Sequence, residues 1–282
     1  MLKLCNSAGP AAQNDLPANA TSAKHGNGRV LRRSIGQQAV DPTYPPLNAL
    51  KLVAEDVWIV DGPVIRFGTP WPKMSFPTRM TIIRLAGGEL FIHSPTPLTS
   101  GLKRGVEGIG APRWLIGPNR IHYWWIPGWH AAFPDAEVYL APRIKAGDYV
   151  DFDTLTLNRD LGYPWSGEIL TLSVRGTYMT KVEFFHRASR TLILTDLIEA
   201  FEPQKLGLAM RWLTRLGGVQ HPDGQMPRDM RLTFRKSKRE LKLAVETMIG
   251  WKPERVIFAH GHRYRANGTA ELRRAFRWLL DG

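Results

Sequence analysis

Along the first half of the chain, apolar positions cluster in short runs rich in β-branched and aromatic residues and bounded by Gly or Pro. DVWIVDG (56–62), RMTIIRL (79–85), ELFIHS (89–94), RWLIG (113–117) and AEVYLA (136–141) each predict a strand. Residues 98–110 predict a short helix between the third and fourth of these. From residue 168 onward, EILTLSV, KVEFFH and RTLILTD predict three successive strands, the last two joined by a turn at His186–Ser189. The spacing then changes to the helical period. Leu206, Met210, Leu213 and Leu216 define one apolar face that stops at Gly217, where a helix-ending glycine is expected. Ser237-Lys-Arg-Glu240 has the form of a capping box. It leads into a second apolar face of Leu241, Ala244, Val245, Met248 and Ile249, ending at Gly250. RVIFAHGH predicts a further strand, and Leu272, Phe276, Leu279 and Leu280 a final helix.

This order of strands and helices, with no internal repeat, suits two mixed sheets packed face to face and covered by outer helices. With 282 residues, 43% of them apolar, the chain can bury a large core. Residues 1–40 carry no apolar periodicity and are expected to be a disordered leader, leaving 41–282 as a single domain. The lone cysteine, Cys5, excludes an intrachain disulfide and a cysteine-based zinc knuckle. No run approaches the roughly 20 apolar residues of a membrane span, so the expectation is a cytoplasmic protein with no membrane partner. The net charge is +13. Residues 1–40 hold Lys3, Lys24, Arg29, Arg32 and Arg33 against Asp15, so most of that excess belongs to the body and favours anionic partners. A small anionic substrate is the favoured partner and nucleic acid a less favoured one. Oligomeric state is not readable.

Several chemistries are excluded by missing motifs. There is no phosphate-binding G-x-x-x-x-G-K-[ST] loop, no G-x-S-x-G nucleophile elbow and no H-E-x-x-H zinc helix, and GVEGIG (105–110) lacks the dinucleotide-binding order. What remains is a set of polar residues at the ends of predicted strands, where loops of open sheets converge. Asn119 and His122 follow WLIG, Asp196 ends RTLILTD, and His260 and His262 end VIFA. An aspartate closing an apolar strand has to be paired, capped or metal-bound, because an isolated buried carboxylate is costly. Imidazole with carboxylate suits zinc, manganese or iron. His260 stands open between ligand and structural histidine, whereas His262, one residue off in strand phase, reads as a surface or supporting residue. The aromatic run Tyr123, Trp124, Trp125 and Trp129 reads either as a core-facing loop or as the wall of a substrate pocket, and His93 and His130 as hydrogen-bonded structural residues. Arg231, Arg235, Lys236, Lys238, Arg239 and Lys242 form a basic cluster that reads as a solvated face, or as an anion-binding one if it lines a cleft.

Taken together, FPTRMTIIRLAGGELFIHSPTPL (76–98), LIGPNRIHYWW (115–125), FPDAEVYLAP (133–142), VEFFHRASRTLILTDL (182–197) and VIFAHG (256–261) resemble an uncharacterised family of unknown function related to the metallo-β-lactamase-fold hydrolases. The resemblance spans roughly residues 48–282. It implies a four-layer αββα sandwich with any metal at one edge of the sheets, Asp196 at the place of a bridging aspartate and His260 at that of the last histidine ligand. The metal motif is degenerate. Where H-x-H-x-D-H would stand the chain has Pro118-Asn119-Arg-Ile-His122, and where a later G-H would stand it has Gly176-Thr177. A full two-metal centre is therefore not expected. Glu183 could substitute as a ligand, giving a candidate set of His122, Glu183, Asp196 and His260 for one divalent ion (zinc, manganese or iron) or for none. Asp196 would also accept a proton during catalysis, and Asn119 and Trp124 would contact substrate. The resulting expectation is a single-metal hydrolase of an ester, lactone, thioester or phosphoester; the alternative is an inactive protein whose cleft binds an anion or RNA.

Overall fold

A computed structural model describes residues 41–67, 74–144 and 151–281; the expected leader at 1–40 lies outside them. Strands β1 (Lys51–Ala54), β2 (Val57–Phe67), β3 (Met74–Arg84) and β4 (Glu89–His93) pair antiparallel in chain order. Three more, β5 (Ala111–Gly117), β6 (Glu137–Leu140) and β7 (Leu155–Thr156), extend the same sheet in parallel. Parallel neighbours need a crossover, and helices α1 (Ser100–Glu107) and α2 (Ile126–Ala132) supply the first two. The second sheet has the order β11-β10-β9-β8. Within it β8 (Ile169–Arg175), β9 (Thr180–His186) and β10 (Thr191–Ile193) are antiparallel, while β11 (Arg255–Ile257) lies parallel to β10. Between β10 and β11 run α3 (Leu208–Gly217), α4 (Arg228–Thr233) and α5 (Lys238–Gly250), and α6 (Gly268–Ala275) and α7 (Arg277–Leu280) close the described chain.

The two-residue period of the strands sorts these residues into layers. Ile83, Phe91, Trp114 and Ile116 face the second sheet and meet Val182, Phe184, Ile193 and Ile257 there. Their neighbours Ile82, Leu90, Ile92 and Leu115 point the other way, onto Leu102 and Val106 of α1 and Ile126 and Trp129 around α2. On the far side, Phe185, Leu192 and Val256 pack against Leu241, Val245 and Met248 of α5 and Leu272 of α6. Helix, sheet, sheet and helix thus form the expected αββα sandwich. Among the described residues, no helix is long and apolar enough to cross a membrane.

Three local expectations change. The apolar face read across α3 is only partly inward: Leu206 is buried and Met210 packs against its cluster, whereas Leu213 and Leu216 are 37 and 64% exposed. Ser237 precedes α5 but makes no capping bond; its hydroxyl donates instead to the Arg175 carbonyl at 3.1 Å, tying the helix start to the end of β8. The final helix is broken at Phe276, which leaves helical geometry at φ −110° while its ring stays buried. The aromatic run resolves into a turn and a helix, with Trp129 buried and its indole donating to the Thr96 carbonyl at 2.7 Å.

Candidate metal centre

Asp196 follows β10 by three residues, at the rim where the ends of β5, β9 and β11 also arrive. Its two carboxylate oxygens face different partners. Oδ1 lies 3.0 Å from His122 Nε2 and 3.2 Å from His260 Nε2. Oδ2 accepts from Lys181 Nζ at 2.8 Å and from Asn119 Nδ2 at 2.9 Å. Asp196 and Lys181 are 2 and 1% exposed. Burial by itself would raise the Asp196 pKa, but the Lys181 ammonium and the two imidazoles hold it well below the usual carboxylate range.

Each histidine is aimed by a second contact. His260 Nδ1 lies 2.8 Å from the Pro77 carbonyl, which can only accept, so that nitrogen carries the proton. In the neutral ring Nε2 then presents a lone pair toward Asp196 Oδ1. Two acceptors facing each other require a proton or a cation; burial works against protonation of His260, but the hydrogen bond and charge of Asp196 outweigh it and raise its pKa. His122 Nδ1 lies 2.8 Å from Ser94 Oγ, and Ser94 holds a left-handed backbone (φ 53°) directly after β4. Burial lowers the His122 pKa, partly offset by Asp196.

The loop carrying His260 is fixed from both sides. Arg79 on β3 is buried; its guanidinium pairs with Asp61 Oδ1 at 2.8 Å and donates from Nη1 to the carbonyls of Phe258 and Gly261, each at 2.9 Å. Lys51 completes the group on Asp61 Oδ2 at 2.8 Å. Gly261 is required where it stands: φ is +92°, and a Cβ there would lie 2.3 Å from the Ala200 carbonyl oxygen.

Of the four expected ligands, His122, Asp196 and His260 converge, one donor atom from each lying within 4.8 Å of the others. Glu183 does not join them. Its Oε2 accepts from the Thr195 amide at 3.3 Å, its Oε1 is buried without a partner, and burial pushes its pKa up to about 8. Asn119, expected to contact substrate, is fully buried and turned inward: its amide nitrogen also donates to Thr195 Oγ1 at 2.9 Å, and its oxygen accepts from the Ile121 amide at 2.9 Å. Trp124 is half-buried in the turn after His122, its ring 6.2 Å from that of Trp125. His262 stays outside the cluster, 4.0 Å from Glu202. His93 is buried against Phe184, and burial lowers its pKa to about 3. His130 stacks on Phe152 at 3.9 Å.

Sequence reasoning missed Lys181, Arg79 and Glu199. Lys181 gives no signal in the sequence, where a lysine in a strand reads as solvent-facing; the structure places it in a strand whose seven residues are all buried. Glu199 is buried near the cluster, its pKa pushed up to about 7 by burial against the lowering charge of His260. Three of the basic residues, Arg231, Arg235 and Lys238, line a cleft of about 250 Å³ with Phe234, Leu241 and Trp278, and no residue of the cluster borders it.

The sandwich and the position of this cluster at its rim define a metallo-β-lactamase-fold protein. Solved structures agree: the DIM-1 metallo-β-lactamase has a TM-score of 0.56 at 13% identity, covering 82% of this chain and 95% of that one. A metallo-β-lactamase from Hirschia baltica has a TM-score of 0.54 at 12% identity, with coverages of 85 and 98%. The Flv1 flavodiiron core from Synechocystis sp. PCC6803 has a TM-score of 0.54 at 10% identity, with coverages of 83 and 60%. At these identities the likeness establishes the fold alone. Within that fold the chain belongs to the DUF4336 family, a domain of unknown function whose profile matches residues 69–209. No curated protein matches it in sequence.

Proposed function

We propose that the cluster is a single-metal hydrolytic centre in which His122, Asp196 and His260 hold one divalent ion and act on an ester, lactone, thioester or phosphoester. The observation that carries this reading is the tautomer of His260. Its Nδ1 is committed to the Pro77 carbonyl, so the neutral ring turns a lone pair, as a ligand must, toward the same oxygen that His122 approaches. Two imidazoles and one carboxylate suit zinc, manganese or iron and leave a coordination position for water. When bound, the ion would supply a water of lowered pKa as nucleophile.

The chain's own residues do the rest. Ser94 and Pro77 orient the imidazoles, and Arg79 anchors the carbonyls on either side of His260. Asp196, whose pKa is held far down by its partners, is a weak proton acceptor. Its part is to carry charge at a fixed place rather than to serve as the base. The cationic surface assists encounter with an anionic substrate. Elemental analysis of protein purified from supplemented medium tests the reading. One zinc, manganese or iron per chain is expected, together with a rise in melting temperature on ion addition, and both should be lost in His260→Ala. Absence of any ion, with no thermal response, would end it.

A second reading also has an observation behind it. Asp196 is already neutralised by Lys181 and can be bonded by a protonated His260, so the cluster is electrostatically complete as a metal-free core. The protein would then be a binding protein, with the cleft at Arg231, Arg235 and Lys238 as its anion site. A steep salt dependence of ligand binding without a metal requirement would favour it.

A further inference from the structure

The two-sided arrangement of Asp196 has a consequence for how many cations the centre can hold. A carboxylate that bridges two ions through both of its oxygens offers one oxygen to each. Here Oδ1 faces the imidazoles, whereas Oδ2 is taken by the Lys181 ammonium at 2.8 Å and the Asn119 amide at 2.9 Å. Neither partner is able to drift away. Lys181 sits on the central part of the second sheet, with β9 flanked by β8 and β10 and its side chain 1% exposed. Asn119 is held by bonds to Thr195 and Ile121.

We propose that Lys181 is a built-in cation occupying the side of Asp196 that a second metal ion would take, so that the centre accepts no more than one. This rests on the single-metal reading of the same cluster. At Oδ2 this chain has a fixed single positive charge, the Lys181 ammonium. An ammonium supplies charge but no exchangeable position, so it neutralises Asp196 without activating water. It also keeps the carboxylate compensated when no ion is bound, since removing one partner of a buried pair leaves the other uncompensated. The fixed charge beside a ligating oxygen further weakens the hold on the one ion that binds.

The experiment uses the full chain, stripped with chelator and titrated with Co²⁺, with ions counted after gel filtration and affinity read by chelator competition. Wild type should take up no more than one ion. Lys181→Met should bind it at least tenfold more tightly and should melt lower than wild type when ion-free. Lys181→Arg, which keeps the charge, should follow wild type. If Lys181→Met does not fold even with Co²⁺, judged by circular dichroism, Lys181→Gln is held to the same criterion. Two ions on wild type, both lost in His260→Ala, would overturn the proposal, as would a neutral variant with wild-type affinity. Failure of the underlying reading looks different. Wild type binding nothing while Lys181→Met binds one ion would retire the single-metal hydrolase and leave Lys181 as the resident cation.

Discussion

At the scale of single residues, legibility followed chemistry near chain landmarks. Asp196, His260 and His122 stand at or just after the ends of apolar strands, and a polar residue in that position announces itself; the resemblance adds their grouping as ligands, although the spacing of His122 departs from the family motif. Lys181 was invisible because a lysine in a strand ordinarily reads as solvent-facing, and its partner is 15 residues away across a hairpin. Glu183 was placed wrongly for a related reason: it lies on the same strand as Lys181, but its carboxyl reaches the Thr195 amide instead of the imidazoles. That position has a pH signature. The folded chain keeps a proton on Glu183 up to about pH 8, whereas an exposed glutamate loses it near 4.5. Between those values the folded state binds more protons than the unfolded one, so this group's contribution to stability falls as pH rises and is constant below the window. Urea denaturation of Glu183→Gln should therefore show a gain over wild type that grows from pH 5 to pH 9, reaching on the order of 3 kcal/mol. A pH-independent difference would mean that Glu183 is ionised in the fold.

At the scale of elements, the period of a segment showed what it would form but not what would cover it. The faces of α5 and α3 look alike in sequence. Leu241, Val245 and Met248 are buried under the second sheet, while Leu213 and Leu216 meet solvent. Periodicity carries no information about which neighbour arrives, and that is decided by topology. The capping box failed similarly, because Ser237 found an acceptor in another element, the Arg175 carbonyl. Thermal melts should separate the two faces: Leu241→Ala is expected to cost about 2–5 kcal/mol, and Leu216→Ala to stay within about 0.5 kcal/mol of wild type. Equal losses would show that α3 packs against something in solution.

For the whole molecule, the sandwich could be read from the alternation of strands and helices, but the joint between its sheets could not. That joint is Arg79, which pairs with Asp61 inside the first sheet and reaches two carbonyls of the loop after β11. Arg79→Met leaves the buried Asp61 carboxylate with Lys51 as its remaining cation, and two carbonyls without their donor. Chemical denaturation should register a loss of about 3–5 kcal/mol, and amide exchange around residues 258–262 should accelerate before the rest of the fold opens. Unchanged exchange there would assign the loop's rigidity to other contacts.

The residues gathered around Asp196 come from distant places: Asn119 and His122 follow β5, Lys181 lies in β9, and His260 follows β11. Bringing such remote segments together carries a large loop-closure cost, which tends to place it late on the folding route. During refolding, the secondary structure should therefore recover before the protein regains any capacity to capture an ion, and the lag between those signals would time the docking of one half of the molecule onto the other.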